Sequence, residues 1–226
     1  VEQDHSLGPE PAVDHPHERA EVASDAYSTV RRRKRVRHED HAPGVHREGS
    51  GHDAIVDAEL LLGHVLALSR GGVQAAAFRG DGLTSAQADD FADLVERRAT
   101  RVPLQHLTGI APFRSLELSV GPGVFVPRPE TELLAGWAVE RARALASPVV
   151  VDLCTGSGAI AAALADEVPQ ARVHAVELSP EAHAYAERNL AGTGVDLRLG
   201  DAFEELDDLL GAVDVVVCNP PYVPLQ

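Results

Sequence analysis

The sequence predicts a doubly wound α/β fold, and three observations carry that prediction. Short β-branched runs, Val149-Val150-Val151-Asp152-Leu153 and Val213-Asp214-Val215-Val216-Val217, read as strands buried on both faces of a parallel sheet. A glycine-rich turn, Cys154-Thr155-Gly156-Ser157-Gly158, joins the first of them to an alanine-rich helical stretch. Strands and helices then alternate at a spacing that implies right-handed crossovers.

Residues 1–50 are rich in His, Pro, Gly, Glu and Arg and lack apolar periodicity, so 1–52 is expected to be a disordered tail. Its basic stretch, Arg31 to Arg37, reads as a solvated charge run. The histidines of the tail are scattered without metal-ligand spacing, and no metal is expected. The chain contains no Met and begins with Val, which suggests a literal translation from a non-standard start, with part of the tail not native protein. Mass spectrometry of the natural N-terminus tests that; a natural start before residue 10 would contradict it.

From Asp53 the pattern changes. Leu61, Val65 and Leu68 form one stripe of a helix over Ala58–Leu68, with Gly71-Gly72 expected to end it. Thr84 and Gln87 make a capping box ahead of Phe91, Leu94 and Val95, which share a second helical face. Together 53–102 is a small helical unit. Residues 103–128 carry turn signals around short alternating runs and read as a β-hairpin linker. Pro129 suits the first turn of a helix, Glu130 and Glu132 suit its positive end, and Leu133, Leu134 and Trp137 are its expected buried face.

Within 129–226 further strands are predicted at Arg172–Glu177, Val195–Leu199 and Val213–Cys218, with helices over Ala159–Asp166 and from Pro180 onward. Ser179 caps the latter, and Tyr185 is placed on its inner face. Cys154 and Cys218 both fall at strand ends, and two free thiols are the default.

Charge narrows the partners. The first 50 residues hold 8 basic and 10 acidic side chains of the chain's 20 and 35, which leaves 51–226 with 12 arginines, 25 acids and a net charge of −13. Phosphate backbones need clustered positive charge, so direct nucleic-acid binding is not expected. The absence of a membrane-length apolar run and of a signal-peptide core predicts a cytoplasmic protein with no membrane partner.

The chemistry is expected where the strands end. Two prolines stop the last strand at Asn219-Pro220-Pro221-Tyr222, on the sheet edge where open α/β sheets bind ligands. An Asn carbonyl and a proline carbonyl can accept both hydrogens of an amide or amino NH2, and Tyr222 offers a flat face to a planar group. Gly156 and Gly158 allow close approach of a ligand, Glu177 can accept from ribose hydroxyls, and Asp201 from an exocyclic amine such as adenine's. The loop matches neither the full dinucleotide fingerprint nor a P-loop.

Asp152-Leu153-Cys154-Thr155-Gly156-Ser157-Gly158, Glu177, Gly200-Asp201-Ala202 and Asn219-Pro220-Pro221-Tyr222 resemble class I S-adenosylmethionine-dependent methyltransferases. Pro103–Gly109 (PLQHLTG) and Val126–Glu132 (VPRPETE) narrow the resemblance to the release-factor N(5)-glutamine methyltransferases, the HemK/PrmC family. The likeness covers 53–226. It implies S-adenosylmethionine as cofactor, held by Asp152, Cys154, Thr155, Gly156, Ser157, Gly158 and Glu177, with Asp201 and Ala202 flanking adenine. It implies class I peptide chain release factors as partners, their Gly-Gly-Gln glutamine held by Asn219, Pro220, Pro221 and Tyr222, with Asn219 also near the cofactor. By the same likeness, 53–102 is the substrate-recognition domain and 129–226 a partial methyltransferase domain.

The sequence departs from the family in two places. Cys154 stands where a glycine is common, which would strain a left-handed backbone. The family's sheet has seven strands and the sequence ends after the fourth, so weak cofactor binding and slow or no turnover are expected of this piece, with a low, poorly cooperative melt. The rival readings are a ribosomal-protein glutamine methyltransferase, an adenine-N6 DNA methyltransferase and a non-catalytic fragment.

Overall fold

The computed structural model describes residues 51–221, so residues 1–50 of the expected tail and Tyr222 lie outside the described residues, whereas Gly51 and His52, expected in the tail, open a helix. The chain divides into two compact units, one up to Arg101 and one from Val102 onward.

The first unit contains helices α1 (Gly51–Leu66), α2 (Arg70–Arg79) and α3 (Ser85–Ala99). Leu61, Val73 and Leu94 are buried in it. Buried Glu59 on α1 accepts from Arg70 Nε at 2.6 Å and Gln74 Nε2 at 3.1 Å on α2. A buried carboxylate paired in this way fixes the angle between two helices better than an apolar contact alone, because losing either donor strands a charge. Arg98 Nε donates to Asp57 Oδ2 at 2.8 Å and ties α3 to α1. The predicted capping box is present, with Thr84 Oγ1 accepting from Gln87 N–H and Gln87 Oε1 from Thr84 N–H.

Gly71 and Gly72 do not end a helix; they lie in the first turn of α2. The chain reverses earlier, at Ala67 (φ 52°), and Ser69 caps α2 by accepting from Gly72 N–H at 3.2 Å. What α1 needs is Gly63, where a Cβ would lie 2.7 Å from the Leu68 carbonyl oxygen. The serine cap and this backbone approach outweighed the helix-breaking tendency of the glycine pair.

The second unit begins with α4 (Leu104–Thr108), a single turn that the turn signals did not predict. It ends at Gly109, whose φ of 77° suits a residue without a Cβ. Strands β1 (Ile110–Phe113) and β2 (Leu116–Ser119) then pair antiparallel, Ile110 opposite Ser119. Helix α5 (Pro129–Arg143) starts with Pro at N1 and acids in its first turn, as predicted. Its buried face differs in part from the expected one: Ala135, Ala138, Val139 and Ala142 face the core with Leu134 packed beside them, whereas Leu133 is 78% and Trp137 48% exposed. Small residues let α5 approach the sheet closely, which turns the bulky ones outward.

The remaining elements are β3 (Val149–Leu153), α6 (Ala159–Glu167), β4 (Arg172–Glu177), α7 (Pro180–Asn189), β5 (Asp196–Leu199), a 3₁₀ turn (Asp207–Leu209) and β6 (Val215–Cys218). The strands form one parallel sheet in the order β5-β4-β3-β6, a doubly wound α/β arrangement. Its core joins Phe113 and Leu118 of the hairpin to Val150, Val173, Leu164, Leu190, Val215 and Val217. Each such side chain, fully buried, contributes roughly 1.5–3 kcal/mol.

β6 is not buried on both faces as its valine run suggested. Val215 and Val217 point into the core while Val216 is 53% exposed, and among the described residues β6 pairs with β3 alone. A β-branched run marks strand propensity, and what covers each face is decided by neighbours far away in the chain. Because all four strands run the same way, their carboxyl ends share one edge. Residues 154–158, 177, 200–202 and 219–221 are gathered there.

Candidate functional site

The edge is built from β3 outward. Asp152, the penultimate residue of β3, is buried; its Oδ2 accepts from Thr155 Oγ1 at 2.6 Å and from Ala161 N–H at 3.1 Å. These two bonds fold the turn back over the strand end and cap the start of α6. Its Oδ1 is also buried but has no hydrogen-bond partner among the described residues. Burial pushes the Asp152 carboxyl up to about 7, against the two hydrogen bonds that favour its charged form.

That shift has a stability consequence with a definite sign. Below the ordinary value of 3.8 the carboxyl is neutral folded and unfolded, and burial carries no ionisation penalty. Between 3.8 and about 7 the unfolded chain ionises and the folded one does not, so stability falls as pH rises; above about 7 the loss levels off. Asp152→Asn is neutral throughout and carries its NH2 where the neutral acid carries its O–H. Urea unfolding should show Asp152→Asn gaining on the wild type from pH 4 to pH 7 and holding that gain above it. A difference that does not change with pH would refute this.

The turn itself is left-handed at three places: Cys154 (φ 55°), Gly156 (φ 60°) and Gly158 (φ 80°). The glycines accept this readily; Cys154 carries the strain expected of it, about 1–2 kcal/mol. Cys154→Gly removes that strain and returns about 0.5–1 kcal/mol through glycine's greater unfolded freedom. Chemical denaturation should find the variant more stable by up to about 1 kcal/mol; a loss of stability would mean the thiol makes compensating contacts. Cys154 neighbours Cys218 across the β3–β6 pair, and both are free thiols. Burial, then Cys218, push the Cys154 thiol up to about 11, so neither the loop nor the strand end offers a thiolate at neutral pH.

Glu177 at the end of β4 pins the turn. Its Oε2 accepts from Gly156 N–H at 2.8 Å and its Oε1 from Ser179 N–H at 2.9 Å. Each oxygen keeps capacity for a further hydrogen bond. A Cβ built on Gly156 would meet no atom within 4 Å, so the loop backbone is open to a ligand at that point, whereas at Gly158 it would press on Leu190 at 3.1 Å. The two glycines therefore serve differently: one leaves room for a ligand, the other lets α7 and its following turn pack close. An open backbone at Gly156 and a carboxylate with spare lone pairs at Glu177 fit a nucleoside cofactor bearing a ribose.

Asp201 is exposed, and its Oδ1 accepts from Phe203 N–H at 2.9 Å, forming its own turn with Ala202 half-buried inside it. Arg198 braces this loop from β5 by donating to Asp196 and, from Nη1 and Nη2, to Asp208 at 2.6 and 2.9 Å. It holds both carboxylates below the usual range.

Asn219 and Pro220, half-buried, and exposed Pro221 follow β6 directly, next to the β3 turn because Leu153 and Cys218 are register partners. Asn219 Nδ2 donates to Thr131 Oγ1 at 3.2 Å, on the first turn of α5. Two residues of this edge were not singled out from the sequence. Thr131 is one. Asn189 is the other: its Nδ2 donates to the carbonyls of Ser119 at 2.9 Å and Ser157 at 2.8 Å, and its Oδ1 accepts from Ser119 N–H at 2.7 Å, joining the hairpin to the glycine turn. Thr131 lies inside the VPRPETE segment, which was a usable signal; nothing local marks Asn189.

Comparison with known proteins adds the following. Residues 47–109 match a family model described as the PrmC N-terminal domain, and residues 150–224 match one described as a methyltransferase domain. A release factor glutamine methyltransferase of Streptomyces coelicolor is 62% identical over 135 residues, 59% of this chain and 48% of the relative. One from Mycolicibacterium smegmatis is 53% identical over 171 residues, 75% of this chain and 59% of the relative. The chain thus spans about half to three fifths of these relatives' length. Among solved structures, an RNA methyltransferase from Salinibacter ruber in complex with S-adenosyl-L-homocysteine is 29% identical, with 41% of this chain and 60% of that one covered and a TM-score of 0.34.

Proposed function

We propose that this chain is the part of a release factor glutamine methyltransferase that binds S-adenosylmethionine and presents the acceptor glutamine to it. The observation that carries this reading is the placement of Asn219-Pro220-Pro221 beside the Cys154–Gly158 turn, on adjacent parallel strands. The similarity to relatives bearing that name supports the substrate. The names of those relatives favour a release factor over a ribosomal protein.

The cofactor supplies an electrophilic methyl group. The chain's residues do the rest. Asp152, buried beneath the turn, would hold its shape through Thr155 and Ala161, the Gly156 backbone would lie along the ligand, and Glu177 would accept from ribose hydroxyls. Asp201 and Ala202 border the adenine side. Asn219 Oδ1 and the Pro220 carbonyl accept the two N–H groups of the glutamine amide. An amide nitrogen is a poor nucleophile because its lone pair is delocalised; holding both hydrogens to one side lets it pyramidalise and point the lone pair at the methyl. Orientation and fixed dipoles then supply most of the catalysis. As the nitrogen took the methyl, the S–C bond would break and leave a neutral thioether; the N-methylated amide, strongly acidic, would then lose one proton by way of its acceptors to water, so no strong base is needed before transfer. Tyr222 would pack on the amide plane.

The helical unit up to Arg101 is proposed to recognise the release factor, and 129–226 to form the partial methyltransferase domain. With a net charge of −13 over 51–226, a basic protein surface suits this chain better than nucleic acid. Among the described residues no helix is long and apolar enough to cross a membrane, and a cytoplasmic location is proposed. Tandem mass spectrometry of a release factor treated with the full-length protein and cofactor should place one added methyl on the amide of the Gly-Gly-Gln glutamine. A methyl on any other residue, or only on ribosomal protein or DNA, would overturn the reading.

A further inference from the structure

We infer that Asn189 is a positioning residue for the cofactor: its amide holds the glycine turn in the shape that accepts the ligand. The inference rests on the proposed role of the Cys154–Gly158 turn. Asn189 closes α7, half-buried, and three backbone groups meet its side chain. Nδ2 donates to the Ser119 carbonyl at 2.9 Å and to the Ser157 carbonyl at 2.8 Å, and Oδ1 accepts from Ser119 N–H at 2.7 Å. A carbonyl only accepts and a backbone N–H only donates, so these partners decide which end of the amide lies where. Both hydrogens of the NH2 are committed, one to the hairpin and one to the turn.

The turn needs such an anchor. Gly156 (φ 60°) and Gly158 (φ 80°) flank Ser157 and let its peptide groups rotate at small cost. Glu177 pins the Gly156 N–H, and the Gly158 carbonyl starts α6 by accepting from Ala162 N–H at 2.8 Å. Asn189 takes the carbonyl between these two points. Ser157 is buried, so that carbonyl has little water to turn to if its donor is lost. Asn189 is steadied from the other side. Glu181, Tyr185 and Asn189 recur every fourth residue on one face of α7, and the chain leaving the hairpin lies along that face. A Cβ on Gly121 would collide with the Tyr185 hydroxyl, and one on Gly123 would lie 2.9 Å from the Glu181 Cβ. The end of the hairpin thus holds Asn189 against the turn, and the cofactor meets a loop already ordered.

The test uses the full-length protein. Titration calorimetry with S-adenosylmethionine should find Asn189→Ala binding about 10-fold more weakly, because the ligand must now order the turn itself. Its kcat at saturating cofactor and release factor should stay within about threefold of wild type. Asn189→Asp keeps the shape and the bond from Ser119 N–H, but at pH 8 it sets a carboxylate against two carbonyls. It should bind about 10²-fold more weakly than wild type, worse than alanine, which a residue that merely fills space would not do. In the cofactor-free protein, hydrogen exchange at the Gly156 N–H should be about 10-fold faster in both variants, with β3 and β4 unchanged. A cofactor affinity within about threefold of wild type in both variants, a fall in kcat as large as the loss of affinity, or exchange that quickens over the whole sheet would each overturn the inference while the function stands. Unsubstituted protein that binds the cofactor and methylates no release factor would overturn the function and not this inference; unsubstituted protein that binds no S-adenosylmethionine would overturn both.

Discussion

Asn219→Ala lowers the rate of methyl transfer to the release factor about 10²–10³-fold, the usual worth of one preorganised polar group aimed at the reacting atom. Two consequences of the geometry make the effect large. The substitution removes the Oδ1 acceptor, so the glutamine nitrogen keeps one hydrogen bonded to water and stays planar. It also leaves Thr131 Oγ1 without the Nδ2 donor it accepts from at 3.2 Å. Cofactor affinity should weaken less than about 10-fold, because the Cys154–Gly158 turn and Glu177 are bonded to each other rather than to Asn219. Single-turnover kinetics at saturating cofactor separate the two effects. A variant that loses cofactor binding and transfer in equal measure would mean Asn219 is a cofactor ligand first.

Glu177→Ala has the second-largest effect, on the cofactor. One side chain does two jobs: it accepts from the Gly156 and Ser179 backbone N–H groups at 2.8 and 2.9 Å, and it keeps lone pairs for a ribose. Hydrogen bonds to a charged group are worth about 1.5–3 kcal/mol each, so losing the ribose pair alone weakens binding by about 10²-fold. The loop suffers too. Without its carboxylate anchor, Gly156 has no reason to hold φ near 60°, and ordering the turn becomes part of the cost of binding. Titration calorimetry with S-adenosylmethionine should show the loss, with kcat at saturating cofactor reduced far less. A dissociation constant within about threefold of wild type would remove Glu177 from the site.

The site's outline was legible because its parts are local patterns. A buried strand ending in an acid, a glycine turn, a capped helix and an Asn-Pro-Pro stop each leave a mark within a few residues. The Ser179 cap, the Thr84–Gln87 capping box and Pro129 at N1 are of that kind, and each is found where its pattern stands. The strain at Cys154 was legible for the same reason, since a turn of that shape needs left-handed backbone.

What could not be read depends on partners distant in the chain. Leu133 and Trp137 have helix-face spacing, yet the alanines of α5 won the contact with the core because the hairpin and sheet leave little room. Val216 sits in an apolar run and is nevertheless exposed, since exposure is set by what lies beside β6. The bonds that hold the site together, Asn189 to Ser119 and Ser157, Thr131 to Asn219 and Arg114 to Glu167, join residues 32 to 88 positions apart. Periodicity carries no information about such pairs.

The most direct test is transfer of label. The full-length protein is incubated with methyl-labelled S-adenosylmethionine and either a purified class I release factor or the same factor with its Gly-Gly-Gln glutamine changed to alanine. Label on the first and none on the second, lost again with Asn219→Ala, is the expected result. Label that persists on the alanine factor, or none on either while the cofactor still binds, would contradict the assignment of this edge to glutamine methylation.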